Sequence, residues 1–153
     1  MQYRFSGNNK IINGYKVWEI EYFIENTWVK SGWIDNKSLL EGKRHNYIGK
    51  NSCVVGSTLE QNFVIHDNCI IIGSTIKASI IIEPNCTIKN SWIWPVKQYT
   101  GVIRSGSEIF DKSFYLIGKM PSALFNSQQF VQFIDCGTVF TFSDTLCGCN
   151  CVY

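Results

Sequence analysis

The chain has 153 residues, enough for one domain with a sizeable hydrophobic core. Its net charge is only +2 and no basic run occurs, so nothing in the sequence favours a nucleic-acid-binding surface. Charged residues make up 17%, below the roughly one quarter of average proteins, which favours a surface rich in small polar residues or one partly buried by self-association.

The N-terminus has no basic segment followed by an apolar one, so it does not have the pattern of a signal peptide. No apolar stretch approaches the length of a membrane span. The seven cysteines are an odd number and are therefore expected to be reduced thiols in a cytosol.

The first predicted element is a β-hairpin. Residues 10–12 and 15–22 alternate apolar and polar side chains around Asn13-Gly14, a pair that favours the positive φ angles of a type I′ turn. We predict that residues 1–30 form an N-terminal β-hairpin cap.

A 17-residue repeat follows the hairpin. Equivalent residues recur at this interval in five columns: Ile48, Ile65 and Ile82; Asn51, Asn68 and Asn85; Val54, Ile71 and Ile88; Ser57, Ser74 and Ser91; Leu59, Ile76 and Ile93. A fixed period of this kind is typical of a solenoid in which each repeat forms one coil.

Within each repeat the inward aliphatic residues are separated by steps of six, six and five residues, which predicts a triangular coil with three short sides. Stacked coils are separated by the inter-strand distance, roughly 4.8 Å. The Asn column is therefore expected to form a ladder at a left-handed corner, and Glu60 is expected to lie under Lys77. The cysteines Cys69 and Cys86 are expected to pack as small residues at another position of the coil.

The repeat stops after Trp94-Pro95 in the sequence. We therefore assign residues 31–97 to the β-helix coils and residues 98–153 to a β-rich C-terminal cap, with a hairpin between residues 130–134 and 138–142. No linker separates these parts, so the chain is predicted to be one compact all-β domain: a short left-handed parallel β-helix between an N-terminal and a C-terminal β cap.

Several segments resemble a known family. The segments Tyr3-Arg4-Phe5 and Ser31-Gly32-Trp33-Ile34-Asp35, the hexapeptide coils, Ile117-Gly118 and Cys147-Gly148-Cys149 are similar to those of left-handed β-helix, hexapeptide-repeat proteins of bacteriophage and prophage genomes. Members of that family are usually described as uncharacterised or as hexapeptide transferases. The resemblance implies the fold and a phage or prophage origin, but no particular reaction. Together with the absence of an export signal, this origin predicts a location in the cytoplasm of a bacterial host cell.

His66 is the candidate for catalysis. Hexapeptide acyltransferases resemble these coils and use a histidine as general base, with acetyl-coenzyme A as the acyl donor. The 17-residue step places Glu83 one rung from His66, where a carboxylate could orient the imidazole ring. However, three regular coils with no protruding loop offer little material for an active-site cleft, so a solvated surface histidine is the favoured interpretation.

Four C-terminal cysteines form the candidate metal site: Cys136, Cys147, Cys149 and Cys151. Structural zinc sites usually contain pairs spaced Cys-x2–4-Cys, whereas three of these cysteines follow a Cys-x-Cys-x-Cys pattern. Free thiols, or oxidation between neighbours, are therefore favoured over a metal, and no cofactor is expected.

Trp92 and Trp94 form the candidate ligand-binding site, and with Trp28 and Trp33 they suggest an aromatic cluster. Such a cluster can stack a nucleobase or a sugar, although aromatic residues more often cover the end of a coil stack. Thr58 and Thr75 form a column that resembles an ice-binding threonine array, but Trp92 interrupts it, which excludes that function.

The sequence thus favours a non-catalytic binding or structural β-helix module, a phage or prophage accessory protein, rather than an enzyme. The expected partners are a second or third copy of the chain and a protein or small-molecule ligand, without a nucleic acid or a membrane. One alternative is an acetyl-coenzyme A-dependent acyltransferase. Another is a phage counter-defence protein that sequesters a nucleotide signal or a host factor.

Overall fold

The computed structural model describes residues 2–42, 46–60, 62–77, 79–95, 101–116, 119–120, 124–125, 130–133 and 139–142. The N-terminal part contains strands β1 (Tyr3–Ile12), β2 (Tyr15–Ile24) and β3 (Thr27–Ile34) and a 3₁₀ helix (Lys37–Leu40). The strands that follow are β4 (Tyr47–Ile48), β5 (Cys53–Val55), β6 (Thr58–Leu59), β7 (Phe63–Ile65), β8 (Ile70–Ile72), β9 (Thr75–Ile76), β10 (Ile80–Ile82), β11 (Thr87–Lys89), β12 (Trp92–Pro95), β13 (Gly101–Ile103), β14 (Glu108–Phe110), β15 (Ser113–Leu116), β16 (Lys119–Met120), β17 (Leu124–Phe125), β18 (Phe130–Phe133) and β19 (Val139–Phe142).

The strands form three sheets, one for each side of the coil. Sheet A has the order β1-β2-β3-β5-β8-β11-β14-β17, sheet B the order β16-β13-β10-β7-β4, and sheet C the order β19-β18-β15-β12-β9-β6. Successive coils pair in parallel with a 17-residue step, so that Ile48 faces Ile65 and Ile65 faces Ile82. The predicted all-β parallel β-helix with 17-residue coils is therefore confirmed.

The core of the stack consists of the aliphatic columns that the period predicts. Each side of each coil contributes one such residue, almost fully buried, namely Ile48, Ile65 and Ile82 from sheet B, Val54, Ile71 and Ile88 from sheet A, and Leu59, Ile76 and Ile93 from sheet C; Phe63 and Ile80 of sheet B join the same core. Side chains of strands alternate between the two faces, so the residues on either side of the sheet-C column point outward.

Two corners of the coil require a left-handed backbone, and Gly56, Gly73 and Asn90 occupy the second of them. Asn51, Asn68 and Asn85 occupy the first corner with φ angles of 59°, 60° and 66°. Asn51 Nδ2 donates to Asn68 Oδ1 at 3.5 Å, a weak rung of the predicted ladder. Asparagine is one of the few non-glycine residues that adopt this conformation readily, which explains its repetition at one position of each coil.

The stack continues beyond residue 97, the boundary that the sequence repeat indicates. Strand β13 pairs in parallel with β10, with Ile80 opposite Gly101, so the step at this point is 21 residues instead of 17. Strands β14 and β15 keep the same parallel pairing with the preceding coil. The four additional residues displace the repeat along the sequence, which is why a search for a constant period ends too early.

The C-terminal strands include the predicted hairpin. Strand β18 pairs in parallel with β15 and antiparallel with β19, where Phe130 faces Phe142. The antiparallel strand β19 therefore lies at the edge of sheet C.

The N-terminal segment is a three-stranded meander rather than a single hairpin. A second tight turn at Glu25-Asn26, with φ angles of 48° and 62°, leads into β3, which pairs in parallel with β5 of the first coil. Ile20 and Tyr22 join the core of the stack, and the Ile48 N–H donates to the Tyr22 hydroxyl at 3.0 Å. The meander thus extends sheet A and also closes one end of the coil core.

No helix in the part of the chain that the structure describes has the length and hydrophobicity needed to cross a membrane.

Candidate functional site

His66 and Glu83 lie one rung apart at the corner that follows sheet B. Their backbone N–H groups donate to Ile82 and Ile103 of the next coil, both at 2.9 Å, which fixes their positions in one column. His66 and Glu83 are therefore on adjacent coils, one above the other, as the 17-residue step predicts.

The carboxylate of Glu83 has a structural contact in this column. Its Oε1 accepts from the Ser105 N–H at 3.1 Å. The orientation of the imidazole by this carboxylate stays a prediction. Sequence reasoning missed the contact with Ser105 because it ended the coils before this residue.

The cysteines proposed as metal ligands, Cys136, Cys147, Cys149 and Cys151, lie outside the described residues. Within the described ranges, no group of three or more His, Cys, Asp or Glu side chains is arranged to hold a metal ion.

The coil cysteines pack as small buried residues. Cys69 Sγ donates to the Glu83 carbonyl at 3.2 Å, and Cys86 Sγ donates to the Arg104 carbonyl at 3.1 Å. Burial raises the pKa of the Cys53 thiol. The hydrogen bonds of the Cys69 and Cys86 thiols to backbone carbonyls stabilise a corner of the coil. The Cys53 thiol, whose pKa is raised, is a poor nucleophile at neutral pH.

The tryptophan pair lies on the outer surface of sheet C. Trp92 and Trp94 flank the inward Ile93, and their rings stack with centroids 5.5 Å apart and planes inclined by 29°. Trp92 is 42% exposed, which is a large fraction for an indole side chain. Part of the ring is therefore open to a ligand beside its stacking contact with Trp94.

Smaller polar side chains lie on the two coils before this pair. Thr58 faces Thr75, and Thr75 faces Trp92, so two threonines precede one indole in a single outward column. The neighbouring outward column begins with Glu60 and Lys77, whose Oε1 and Nζ atoms form an ion pair of 2.6 Å. Lys77 Nζ also lies 5.8 Å from the centre of the Trp92 ring.

We name this surface the Trp92 ledge; its members are Thr58, Glu60, Thr75, Lys77, Trp92 and Trp94. The sequence identified the tryptophans as a candidate site and the Glu60–Lys77 pair as a cross-coil contact. It did not combine them, although the 17-residue step places all six on adjacent rungs. The 17-residue repeat alone would therefore have been enough to predict that these six side chains share one surface.

Trp28 and Trp33 do not belong to this cluster. Both lie on β3 of sheet A, where the Arg4 guanidinium packs 4.1 Å from the Trp28 ring and Lys10 Nζ lies 4.1 Å from the Trp33 ring. The predicted four-tryptophan cluster is therefore two separate groups on different sheets. The sequence shows that these tryptophans lie near the coils, but it does not specify which of the three sheets each one belongs to.

The ledge offers an apolar ring face beside hydroxyl, ammonium and carboxylate groups. These groups can bind a ligand with one apolar face and a polar edge without any covalent chemistry. Comparisons of the chain with protein-family models, with curated proteins and with solved structures give no match.

Proposed function

We propose that the chain is a non-catalytic binding module that uses the Trp92 ledge as its contact surface. The observation that carries the proposal is the exposed indole of Trp92, stacked on Trp94 and fixed on a strand that pairs in parallel on both sides. Exposing so much of an indole to water is unfavourable in a free protein, and a bound ligand would remove that apolar surface from water.

Rigidity supports the same function. The backbone of each outward residue on β9 and β12 is held by ladders to the adjacent coils, including Thr75 N–H to Ser91 O at 2.8 Å and Lys77 N–H to Ile93 O at 2.9 Å. A ligand therefore meets side chains whose backbone needs no further ordering, which lowers the entropic cost of binding.

The proposal includes a biological setting, that of a phage or prophage accessory protein in the cytoplasm of a bacterial host. Its supports are the segments that resemble the phage-type β-helix proteins and the free, buried thiols of the coils. We further propose that the protein self-associates, because the outer faces of the sheets carry exposed apolar residues such as Ile70. Light scattering over a concentration series tests this part separately.

Saturation-transfer NMR with three classes of small ligand tests the binding function. The panel contains neutral oligosaccharides, adenosine monophosphate and a proline-rich peptide, each of which can stack on an exposed indole. We expect at least one of them to bind the wild-type protein and to lose binding in Trp92→Thr. This substitution continues the Thr58–Thr75 column and therefore suits the strand. Absence of any Trp92-dependent binding would overturn the proposal.

An acyl-transfer assay tests the enzyme alternative. If the module is non-catalytic, titration with acetyl-coenzyme A gives no binding heat, and a mixture of amine and hydroxyl acceptors releases no free coenzyme A thiol. Thiol release that disappears in His66→Ala would contradict the proposal and establish the acyltransferase. The Trp92→Thr variant serves as the matched control, because it leaves the His66 corner unchanged.

A further inference from the structure

We propose that the ligand of the Trp92 ledge is a neutral glycan, bound through a hexose ring that stacks on the exposed part of the Trp92 indole. This inference rests on the proposed binding function and specifies the chemical class of its ligand. Its four supports are the shape of the column, the polar groups beside the indole, the local charge and the size of the surface.

The shape follows from the difference in size between neighbouring rungs. Trp92 is a large side chain in line with Thr75 and Thr58, which are small, and adjacent rungs are separated by roughly 4.8 Å. The indole therefore projects above the two threonines that precede it in the column. A flat ring that contacts the exposed part of the indole can thus lie beside the threonine hydroxyls rather than in open solvent.

The polar groups suit the edge of a sugar ring. A hexose has an apolar face of C–H groups and a rim of hydroxyl groups, each of which can donate and accept hydrogen bonds. Around the indole, the threonine hydroxyls can donate and accept, the Lys77 ammonium donates, and the Glu60 carboxylate accepts. The ledge thus provides both stacking and hydrogen bonding for one hexose.

The local charge disfavours an anionic ligand. Lys77 is the one cation among the outward side chains that the structure describes on sheet C, and it is already paired with Glu60 at 2.6 Å. The phosphate of a nucleotide would need an available cation and would instead meet the Glu60 carboxylate. An uncharged polyol meets no electrostatic repulsion when it approaches this neutral ion pair.

The size of the surface limits the ligand. The threonine column extends over the two rungs of Thr58 and Thr75, which corresponds to roughly 10 Å along the stack. A site of this size holds one or two sugar rings, so we expect weak binding to a single copy of the chain. Tighter binding to a polymeric glycan would then arise from several copies acting together.

Isothermal titration with single oligosaccharides tests the proposal. The probes are maltohexaose, cellohexaose, mannohexaose and the hexamer of N-acetylglucosamine, and adenosine monophosphate represents the nucleotide class. We expect saturable binding of at least one oligosaccharide, weakened about tenfold or more in Trp92→Thr through loss of the stacking contact.

Ile70→Thr is the matched control for the stacking contact. Ile70 is 37% exposed, close to the value for Trp92, and it occupies an outward position on sheet A instead of sheet C. We expect this variant to bind the oligosaccharide with unchanged affinity. Equal losses in the two variants, or no effect of Trp92→Thr, would overturn the proposal.

A charge variant separates the glycan from the nucleotide. Glu60→Gln removes the carboxylate and frees Lys77 from its ion pair, so we expect sugar binding to weaken by a few-fold or less while adenosine monophosphate binding rises. If wild-type protein binds adenosine monophosphate and none of the oligosaccharides, the glycan assignment is wrong while the binding function stands. If none of the probes binds, the glycan assignment also fails, and the proline-rich peptide decides whether the binding function survives.

Discussion

At the scale of single residues, Asn68 has a backbone conformation that most side chains resist. Its φ angle is 60°, and the same corner repeats in Asn51 and Asn85. We expect Asn68→Ala to lower the free energy of unfolding by about 1 kcal/mol, because alanine lacks the short polar side chain that lets asparagine adopt the left-handed region readily. Asn68→Gly should remain within a few tenths of wild type, since glycine adopts this φ freely.

Urea unfolding followed by circular dichroism measures both variants. Asn62→Ala is the control, because Asn62 is exposed and lies outside the left-handed corners. If Asn68→Gly were as destabilising as Asn68→Ala, the amide ladder rather than the backbone would be the main reason for asparagine at this corner.

Tyr22 links the meander to the first coil and makes the free energy of unfolding depend on pH in the alkaline range. Burial raises the pKa of its hydroxyl above the ordinary value of 10.0. The folded protein therefore holds the proton more tightly than the unfolded chain does, so this contribution is complete below pH 10 and is lost as the pH rises above 10. We expect the free energy of unfolding to decrease in that range, measured by urea titrations between neutral and alkaline pH.

Tyr22→Phe separates this titration from the rest of the protein. The variant should lose the part of the alkaline decrease that Tyr22 contributes, and at neutral pH it should be less stable by about 1–3 kcal/mol, because the buried Ile48 N–H loses its acceptor. Tyr15→Phe, at an exposed tyrosine, controls for removal of a phenol. An alkaline decrease identical in wild type and Tyr22→Phe would show that other groups cause it.

At the scale of elements, the corner between sheets A and C is held by a serine ladder. Ser74 Oγ donates to the Ile72 carbonyl at 3.1 Å and accepts from the Ser91 N–H at 3.1 Å, and both serines are buried. We expect Ser74→Ala to cost about 1–3 kcal/mol of unfolding free energy, since it leaves the Ser91 N–H unsatisfied.

Thermal and urea unfolding of Ser74→Ala should be compared with Thr58→Ala, which removes a hydroxyl from the exposed face of sheet C. The exposed change should alter stability by about 0.5 kcal/mol or less. Equal effects at the two positions would mean that the ladder bond contributes no more than a hydroxyl in water.

The elements that sequence predicts well are those whose partners lie at a constant spacing. Ile65 meets Ile48 and Ile82 because all three occupy one step of a strict period, and the Asn13-Gly14 turn depends on two adjacent residues alone. The turn at Glu25-Asn26 was missed because glutamate is not a residue typical of a left-handed turn position. The coil that begins at β13 was missed because four additional residues interrupt the period.

At the scale of the whole molecule, the candidate site is a product of the stacking. Thr58, Thr75 and Trp92 are separated by one and two periods in sequence, so the column could be predicted once the coil was known. The contact of Glu83 with Ser105 could not be predicted, because Ser105 lies 22 residues later, beyond the point at which the period is interrupted. What sequence leaves open is therefore the choice of partner for each polar side chain, which depends on rotamers and on neighbouring coils.

Because each coil contacts only its neighbours, the stack should accept an additional coil. Duplicating residues 62–78 inserts one further 17-residue repeat, and every inward aliphatic and each corner residue then meets its own equivalent. We expect a folded protein with an unchanged β spectrum, a larger dependence of unfolding free energy on urea concentration, and a melting temperature no lower than wild type.

The matched control adds one threonine between Ile71 and Ile72 of the inserted copy. In strand β9 of the inserted copy the extra residue moves each side chain to the opposite face, so Thr75 takes the inward position of Ile76 and Ile76 faces water. Its unfolding midpoint should therefore fall well below that of the 17-residue insertion, although the two proteins differ by one residue. Comparable stability of the two insertions would show that the inward columns do not determine the register of the stack, whereas a misfolded 17-residue insertion would show that stability depends on contacts beyond adjacent coils.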